Sequence, residues 1–368
     1  MNEKVIIIGG GIVGASAAYF LAKQDVAVTL IDRFDRGQAT DAAAGIICPW
    51  ISQRRNKAWY RLVKAGARMY PQLIENLEAD GEKDTGYRQV GALSIHTDKK
   101  KLEATVERAL KRREDAPEIG DIEYLDEQAA REKFPLLREG YEAVYVSGAA
   151  RVDGRKVRDA MIKGAIKHGA DLIKGSAELI IENNRVVGAS VNGEKIYADH
   201  VIAAAGAWMN ELLEPFGIDE IQVRPQKAQI LHLRYDQLET DRLPVIMPPN
   251  DQYMLSFEDH HFVIGATHED DMGYDTEVTV FGVHDILTKA LDVAPALAES
   301  VILEARVGFR PMTEGSLPII GSLESLDNLL YANGLGATGL TAGPLIGQQL
   351  AKLVLQEPTD INLEDYRL

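Results

Sequence analysis

Residues 5–22, VIIIGGGIVGASAAYFLA, carry four apolar residues into a glycine turn and out into an alanine-rich segment of helical character. The turn has the form G-x-G-x-x-G, with Gly9, Gly11 and Gly14 at the three fixed positions. A second apolar run, VAVTLID, ends at Asp32, eighteen residues after the last glycine. Strand, glycine triplet, helix and strand-terminal acid in this order predict a dinucleotide site. Gly9 permits the tight turn, Gly11 lets a phosphate approach bare backbone, and Gly14 lets the helix pack on the sheet. The helix N-terminus then faces a pyrophosphate with free N–H groups and a positive dipole. Asp32 is placed to accept from a ribose. These residues alone leave open which dinucleotide is bound.

At 368 residues the chain is long enough for two cores. With 46% hydrophobic and 26% charged residues it reads as globular. Lys and Arg number 40 against 56 Asp and Glu, a formal net charge of −16, which argues against nucleic acid or an anionic membrane as partner. The lone cysteine, Cys48, leaves no partner for an internal disulfide and fits a reducing, cytoplasmic setting. Residues 5–22 lack charge, but their glycines and the strand that follows at once argue against a signal peptide or an integral membrane segment.

Apolar periodicity predicts helices over 54–78, 99–113, 155–168 and 283–298, and short strands at 177–182, 186–191, 195–198 and 201–205. Further strands are expected at 230–233, 253–257, 261–266 and 301–309. The eight histidines show no metal-ligand spacing, so no metal is expected, and His260-His261 fall in an expected hairpin turn.

The order of motifs, GGGIVG, ATDAAAGIICPW (39–50), VIAAAGAW (201–208), VRPQKAQ (223–229), DQYMLSFEDHHFVIGATHED (251–270), VGFRPMTEGSLPIIG (307–321) and YANGLGATGLTAGPLIGQQLA (331–351), resembles the FAD-dependent amine oxidoreductases of the D-amino-acid-oxidase class, nearest their glycine oxidase and D-amino-acid dehydrogenase branch. The resemblance spans essentially the whole chain. It implies an α/β fold: a Rossmann-like FAD-binding domain of glutathione-reductase type, formed by 1–85, 149–220 and 306–368, with an inserted α+β substrate domain on an antiparallel sheet, formed by 86–148 and 221–305. It also implies cofactor contacts from Gly9, Gly11, Ile12, Val13 and Gly14, from Asp32, Arg33, Ala39 and Thr40, and from Ala44, Gly45 and Ile46 near the flavin ring. Glu178, Gly206 and the C-terminal loop residues Leu335, Gly336, Ala337, Thr338, Gly339, Leu340 and Thr341 complete that set.

Small residues in TDAAAGI let backbone come close to a planar or phosphorylated ligand, and Thr40 can bond a phosphate. The family has serine where this chain has Asp41, which is expected to turn away from the phosphates or toward Arg54 or Arg55. The glycine-lined helix entry expected near 341–343, with Pro344 in its first turn, would aim donors at the negative charge of a reduced flavin. A helix entry without a ligand fits the same residues.

For catalysis the resemblance points to Arg310, as the guanidinium that grips a substrate carboxylate, and to Tyr253 beside the substrate. Glycine oxidase relatives carry a second arginine where this chain has Ala337, so glycine is expected to be a poor substrate and a bulkier or N-substituted amino acid a better one. The cysteine that tethers flavin in monomeric sarcosine oxidases has no counterpart here, and FAD is expected to be non-covalent. The implied reaction is oxidation of a small amino acid or secondary amine at the Cα–N bond by hydride transfer to flavin N5, with the imine hydrolysing to an oxo acid. Dioxygen, a quinone or another carrier would take the electrons, and association with further copies of the chain is left open. Two alternatives stand beside this reading: oxidation of a hydroxy acid or polyol phosphate on the same fold, and a non-catalytic flavin-binding regulator.

Overall fold

The strand Lys4–Ile8 lies in the middle of a sheet and is buried on both faces, Val5, Ile6 and Ile7 being at most 1% exposed. An alternating pattern is absent because helices cover a parallel sheet from both sides. The computed structural model, which describes residues 3–368, pairs this strand in parallel with Ala27–Asp32 on one side and His200–Ala203 on the other. Asp171–Lys174 extends the parallel sheet beyond Ala27–Asp32, and Leu326–Asn333 extends it beyond His200–Ala203. An antiparallel unit, Ala177–Glu182, Arg185–Val191 and Glu194–Tyr197, joins through a single parallel bridge between Arg185 and Asp327.

The helix Ile12–Ala22 crosses above this sheet with every residue buried except Phe20. Such an apolar, small-residue helix has no solvent face to present. It packs against the helices Gly154–Lys167 and Gly339–Val354, and Ser16 Oγ donates to the Pro344 carbonyl at 2.6 Å.

A second, eight-stranded sheet runs in the order Val301–Met312, Arg224–Arg234, His261–Gly265, Tyr253–Ser256, Val245–Met247, Ala92–His96, Glu142–Val146, Ile122–Leu125. The expected antiparallel pairing holds at every junction but one, because Val245–Met247 runs parallel to Ala92–His96. That junction joins strands from two segments remote in sequence, so no hairpin dictates the direction. The cut expected between 305 and 306 falls inside the continuous strand Val301–Met312.

Several expected elements change at their ends. The helix expected over 54–78 is Lys57–Ala79, with Asn56 Oδ1 accepting from the Trp59 N–H at 2.9 Å and so fixing its start. The helix expected over 283–298 splits into Val280–Val293 and a 3₁₀ turn, Pro295–Glu299, because Pro295 has no N–H with which to continue the first.

Candidate functional site

A cavity of about 860 Å³ runs between the two sheets, from Ala177 and Glu178 at one end to Tyr253, His268 and Arg310 at the other. Its floor is the opening glycine turn. Gly9 holds φ +105°, and a Cβ there would lie 2.3 Å from the Ala204 carbonyl oxygen. A Cβ on Gly11 would meet only Thr40 Oγ1, at 3.5 Å, so the space in front of this residue is open. Gly11, Ile12 and Val13 line the cavity, whereas Gly14 does not: its Cα faces the Gly9 carbonyl oxygen, 1.8 Å from where a Cβ would sit. Gly14 therefore sets helix-to-strand packing.

Asp32 lines the wall, 6% exposed. Its carboxylate accepts from the Gly10 N–H and the Phe34 N–H, both at 2.5 Å, and from Gln38 Nε2 at 2.8 Å. A carboxylate offers about four lone-pair sites, so acceptor capacity is left for a sugar hydroxyl. Arg33, also at the wall, pairs with Glu211 at 2.9 Å and lies over the Trp208 ring.

Thr40 Oγ1 accepts from the Ile12 N–H at 3.0 Å, capping the helix and leaving its own O–H to donate. The neighbouring Asp41 does turn from the glycine turn, but its partner is Arg158, at 2.6 Å, with Arg155 at 4.0 Å. Arg54 instead donates to the Ser316 carbonyl at 2.6 Å over the Trp59 ring. The expected pairing of Asp41 with Arg54 or Arg55 is corrected to the helix Gly154–Lys167, which tertiary packing brings alongside. Ala39, Ala44, Gly45, Ile46 and Gly206 also face the cavity.

At the C-terminal loop, Leu335, Gly336, Ala337, Gly339, Leu340 and Thr341 line the cavity. Thr338 does not, since its hydroxyl donates to the Leu335 carbonyl at 2.7 Å and closes a 3₁₀ turn, Gly336–Thr338. The helix begins at Gly339, earlier than expected, which places Pro344 inside it rather than in its first turn. Thr341 Oγ1 donates to the Ile46 carbonyl at 3.1 Å and so joins the two loops.

Arg310 Nη1 donates to Gln226 Oε1 at 3.2 Å and to the Thr267 carbonyl at 3.3 Å, which holds the guanidinium in the cavity wall. Burial raises the Tyr253 phenol above its ordinary pKa, and the adjacent Arg310 pulls it back. The Tyr253 hydroxyl therefore remains a donor at neutral pH.

Sequence reasoning missed Asp251 and His268, which line the same end, and the aromatic wall of Trp208 and Phe309. Asp251 lies in a bend two residues before the strand Tyr253–Ser256, where strand periodicity does not reach. His268 and Phe309 carry no local signal either.

The family model described as DAO, FAD dependent oxidoreductase, matches residues 4–353. The chain belongs to this family. It is 55% identical over 365 residues to the uncharacterised oxidoreductase YurR of Bacillus subtilis, covering 99% of this chain and 98% of that one. It is 28% identical to the glycine oxidase of Pseudomonas aeruginosa, over 96% of this chain and 95% of that one. Among solved structures, the iminodiacetate oxidase IdaA of Chelativorans sp. BNC1 superposes with a TM-score of 0.95 at 42% identity, covering 99% and 98% of the two chains.

As a DAO family member the protein is an FAD-dependent oxidoreductase, and its cavity suits that cofactor. The open space before Gly11, the capped helix start at Ile12 and the acceptor Asp32 provide for a pyrophosphate and a ribose. Among the described residues no helix is long and apolar enough to cross a membrane.

Proposed function

We propose that the protein oxidises the Cα–N bond of an N-substituted glycine or similar small secondary amino acid. The observation that carries this reading is the pairing of one guanidinium, Arg310, with the small side chain of Ala337 in a single cavity. Arg310 offers two parallel N–H bonds to one carboxylate, which fixes the carbon to be oxidised. Tyr253 supplies a further donor. Ala337 leaves room beside it for a substituent on nitrogen and withholds a second positive charge from the minimal ligand glycine.

The likeness to a glycine oxidase and to an iminodiacetate oxidase supports an amine over a hydroxy acid or polyol phosphate. Bound FAD supplies the acceptor for two electrons. The substrate loses those electrons and two protons to become an imine, and water then splits the imine into an oxo acid and an amine. The residues around it act by position, so no general base is required of them.

Non-covalent attachment is part of the proposal. Cys48, the only cysteine, is buried and its thiol is pushed up to about 12, so no thiolate is offered to a flavin. The purified protein should be yellow and release intact FAD on denaturation.

The test is anaerobic bleaching of the flavin by iminodiacetate, sarcosine, glycine, D-alanine, D- and L-proline, lactate and glycerol phosphate, repeated with Ala337→Arg. Secondary amino acids should bleach fastest, and the variant should shift toward glycine. Bleaching led by lactate or glycerol phosphate, or by glycine in the unaltered protein, would overturn the reading.

A further inference from the structure

His268 lines the same cavity as Arg310, and the two are neighbours through the backbone, since the guanidinium donates to the carbonyl of Thr267. The imidazole Nδ1 stands 3.7 Å from Asp251 Oδ2, and Asp251 Oδ1 takes Lys289 Nζ at 3.0 Å. Lys289 is held from the other side by Asp285 at 2.9 Å. Among the described residues no hydrogen bond fixes the imidazole, whose side chain is 40% exposed. The ring therefore turns Nδ1 toward a carboxylate and keeps Nε2 available, at the substrate end of an enzyme cavity.

We infer that His268, oriented by Asp251 and Lys289, binds the carboxylate carried by the nitrogen substituent of an iminodiacetate-like substrate, while Arg310 holds the carboxylate beside the oxidised carbon. This rests on the amine reading above and narrows it to dicarboxylates. Asp251 would by itself repel a second anion, and Lys289, shared with Asp285, offsets part of that charge. Asp251 and Lys289 act through His268 and are positioning residues.

The charges around the ring fix a pH signature. Burial, Arg310 and Lys289 hold the imidazole below its ordinary pKa, against the pull of Asp251 and Asp270, which favours the neutral form in the free site. A carboxylate seated on Arg310 offsets that charge, and a second carboxylate at the ring favours the imidazolium. Binding of a dicarboxylate thus takes up a proton, and the added affinity is present at low pH and lost as pH rises through the pKa of the complex.

The test uses two non-oxidisable ether analogues, oxydiacetate and methoxyacetate, titrated into the FAD-loaded protein and followed by perturbation of the flavin absorbance. Oxydiacetate should bind about tenfold more tightly than methoxyacetate near pH 6, with the advantage shrinking toward pH 8. In His268→Leu with full flavin content the two ligands should bind alike at every pH. Asp251→Asn should keep the preference but move its loss to lower pH, because the imidazolium loses its partner. Equal binding of the two analogues by the unaltered protein, or an undiminished preference in His268→Leu, would overturn the inference. Bleaching by sarcosine with no oxydiacetate preference would sink this inference and spare the amine reading. An oxydiacetate preference with no bleaching by any amine would do the reverse.

Discussion

Gly11 and Gly14 stand three residues apart in one turn, and the space around each assigns them different consequences. A side chain on Gly11 enters open cavity, past Thr40 Oγ1 at 3.5 Å, so Gly11→Val should leave the chain folded and remove flavin. A side chain on Gly14 enters the Gly9 carbonyl, at 1.8 Å, so Gly14→Val should disturb the strand–helix unit itself. Far-UV circular dichroism with flavin content after gel filtration separates the two, and flavin retained by folded Gly11→Val would count against the phosphate assignment. Arg310 is the other residue whose removal should be selective. Arg310→Ala should keep FAD but lose about 2–5 kcal/mol of transition-state binding for a carboxylate substrate, and Arg310→Lys should recover only part, since an ammonium lacks the planar fork. Normal kcat/KM in Arg310→Ala would place the substrate carboxylate elsewhere.

The strand Arg224–Arg234 shows how an element divides its residues between two tasks. Ala228 and Ile230 face the cavity, while Lys227, Gln229 and Leu231 alternate onto the opposite face. There Lys227, fully buried, donates to Asp275 at 2.7 Å, and Gln229 bonds Glu269 and Thr279. These contacts anchor the loop 266–279, whose Tyr274 stacks on Trp208 at 5.6 Å and donates to the Ala207 carbonyl at 2.8 Å. The ion pair is asymmetric, its lysine out of water and its carboxylate one-third exposed. Asp275→Asn, which leaves a buried ammonium without a counter-charge, should therefore lower Tm more than Lys227→Met, which leaves a carboxylate that water can reach. Equal shifts in differential scanning calorimetry would mean that Lys227 reaches solvent when its partner is removed. A sequence reading sees the strand, because alternation is local. It does not see the pair, because Lys227 and Asp275 meet only after an intervening hairpin has folded.

Across the whole molecule, pH acts on stability through a histidine pair carried by the neighbouring strands Arg224–Arg234 and His261–Gly265. His232 Nδ1 and His261 Nε2 lie 2.8 Å apart, and His232 Nε2 is buried without a partner among the described residues. Burial, then Arg306, then His261 push the His232 imidazole down to about 3. His261 is lowered as well, first by burial and then by Arg306. The unfolded chain binds protons at these histidines below about pH 6.5, where the native state does not. Their contribution to stability is thus complete above that pH and is lost as pH falls toward the native value. Urea unfolding should give a smaller free energy at pH 5 than at pH 7, and His232→Leu should flatten that slope. An unchanged slope in the variant would assign the pH dependence to other groups.

What the sequence determined by itself is what short range dictates. The turn from Gly9 to Gly14, the strand ending at Asp32, the helix Lys99–Arg113 and the strand Ala177–Glu182 follow from periods of two and 3.6 and from glycine geometry, all contained within a few residues. Motif order carried the rest of that reading, placing Arg310, Tyr253 and Ala337 in one site although they are far apart in the chain. Only the tertiary structure decided the partners of polar groups. Asp41 meets Arg158 because the helix Gly154–Lys167 packs beside its loop, and Val245–Met247 pairs in parallel because two distant segments complete one sheet. His268 joins Arg310 and Asp251 for the same reason: three side chains with no periodic relation converge on one cavity wall. A side chain's chemistry is written at its own position, but its charge neighbours and its exposure are set by chain that arrives from elsewhere.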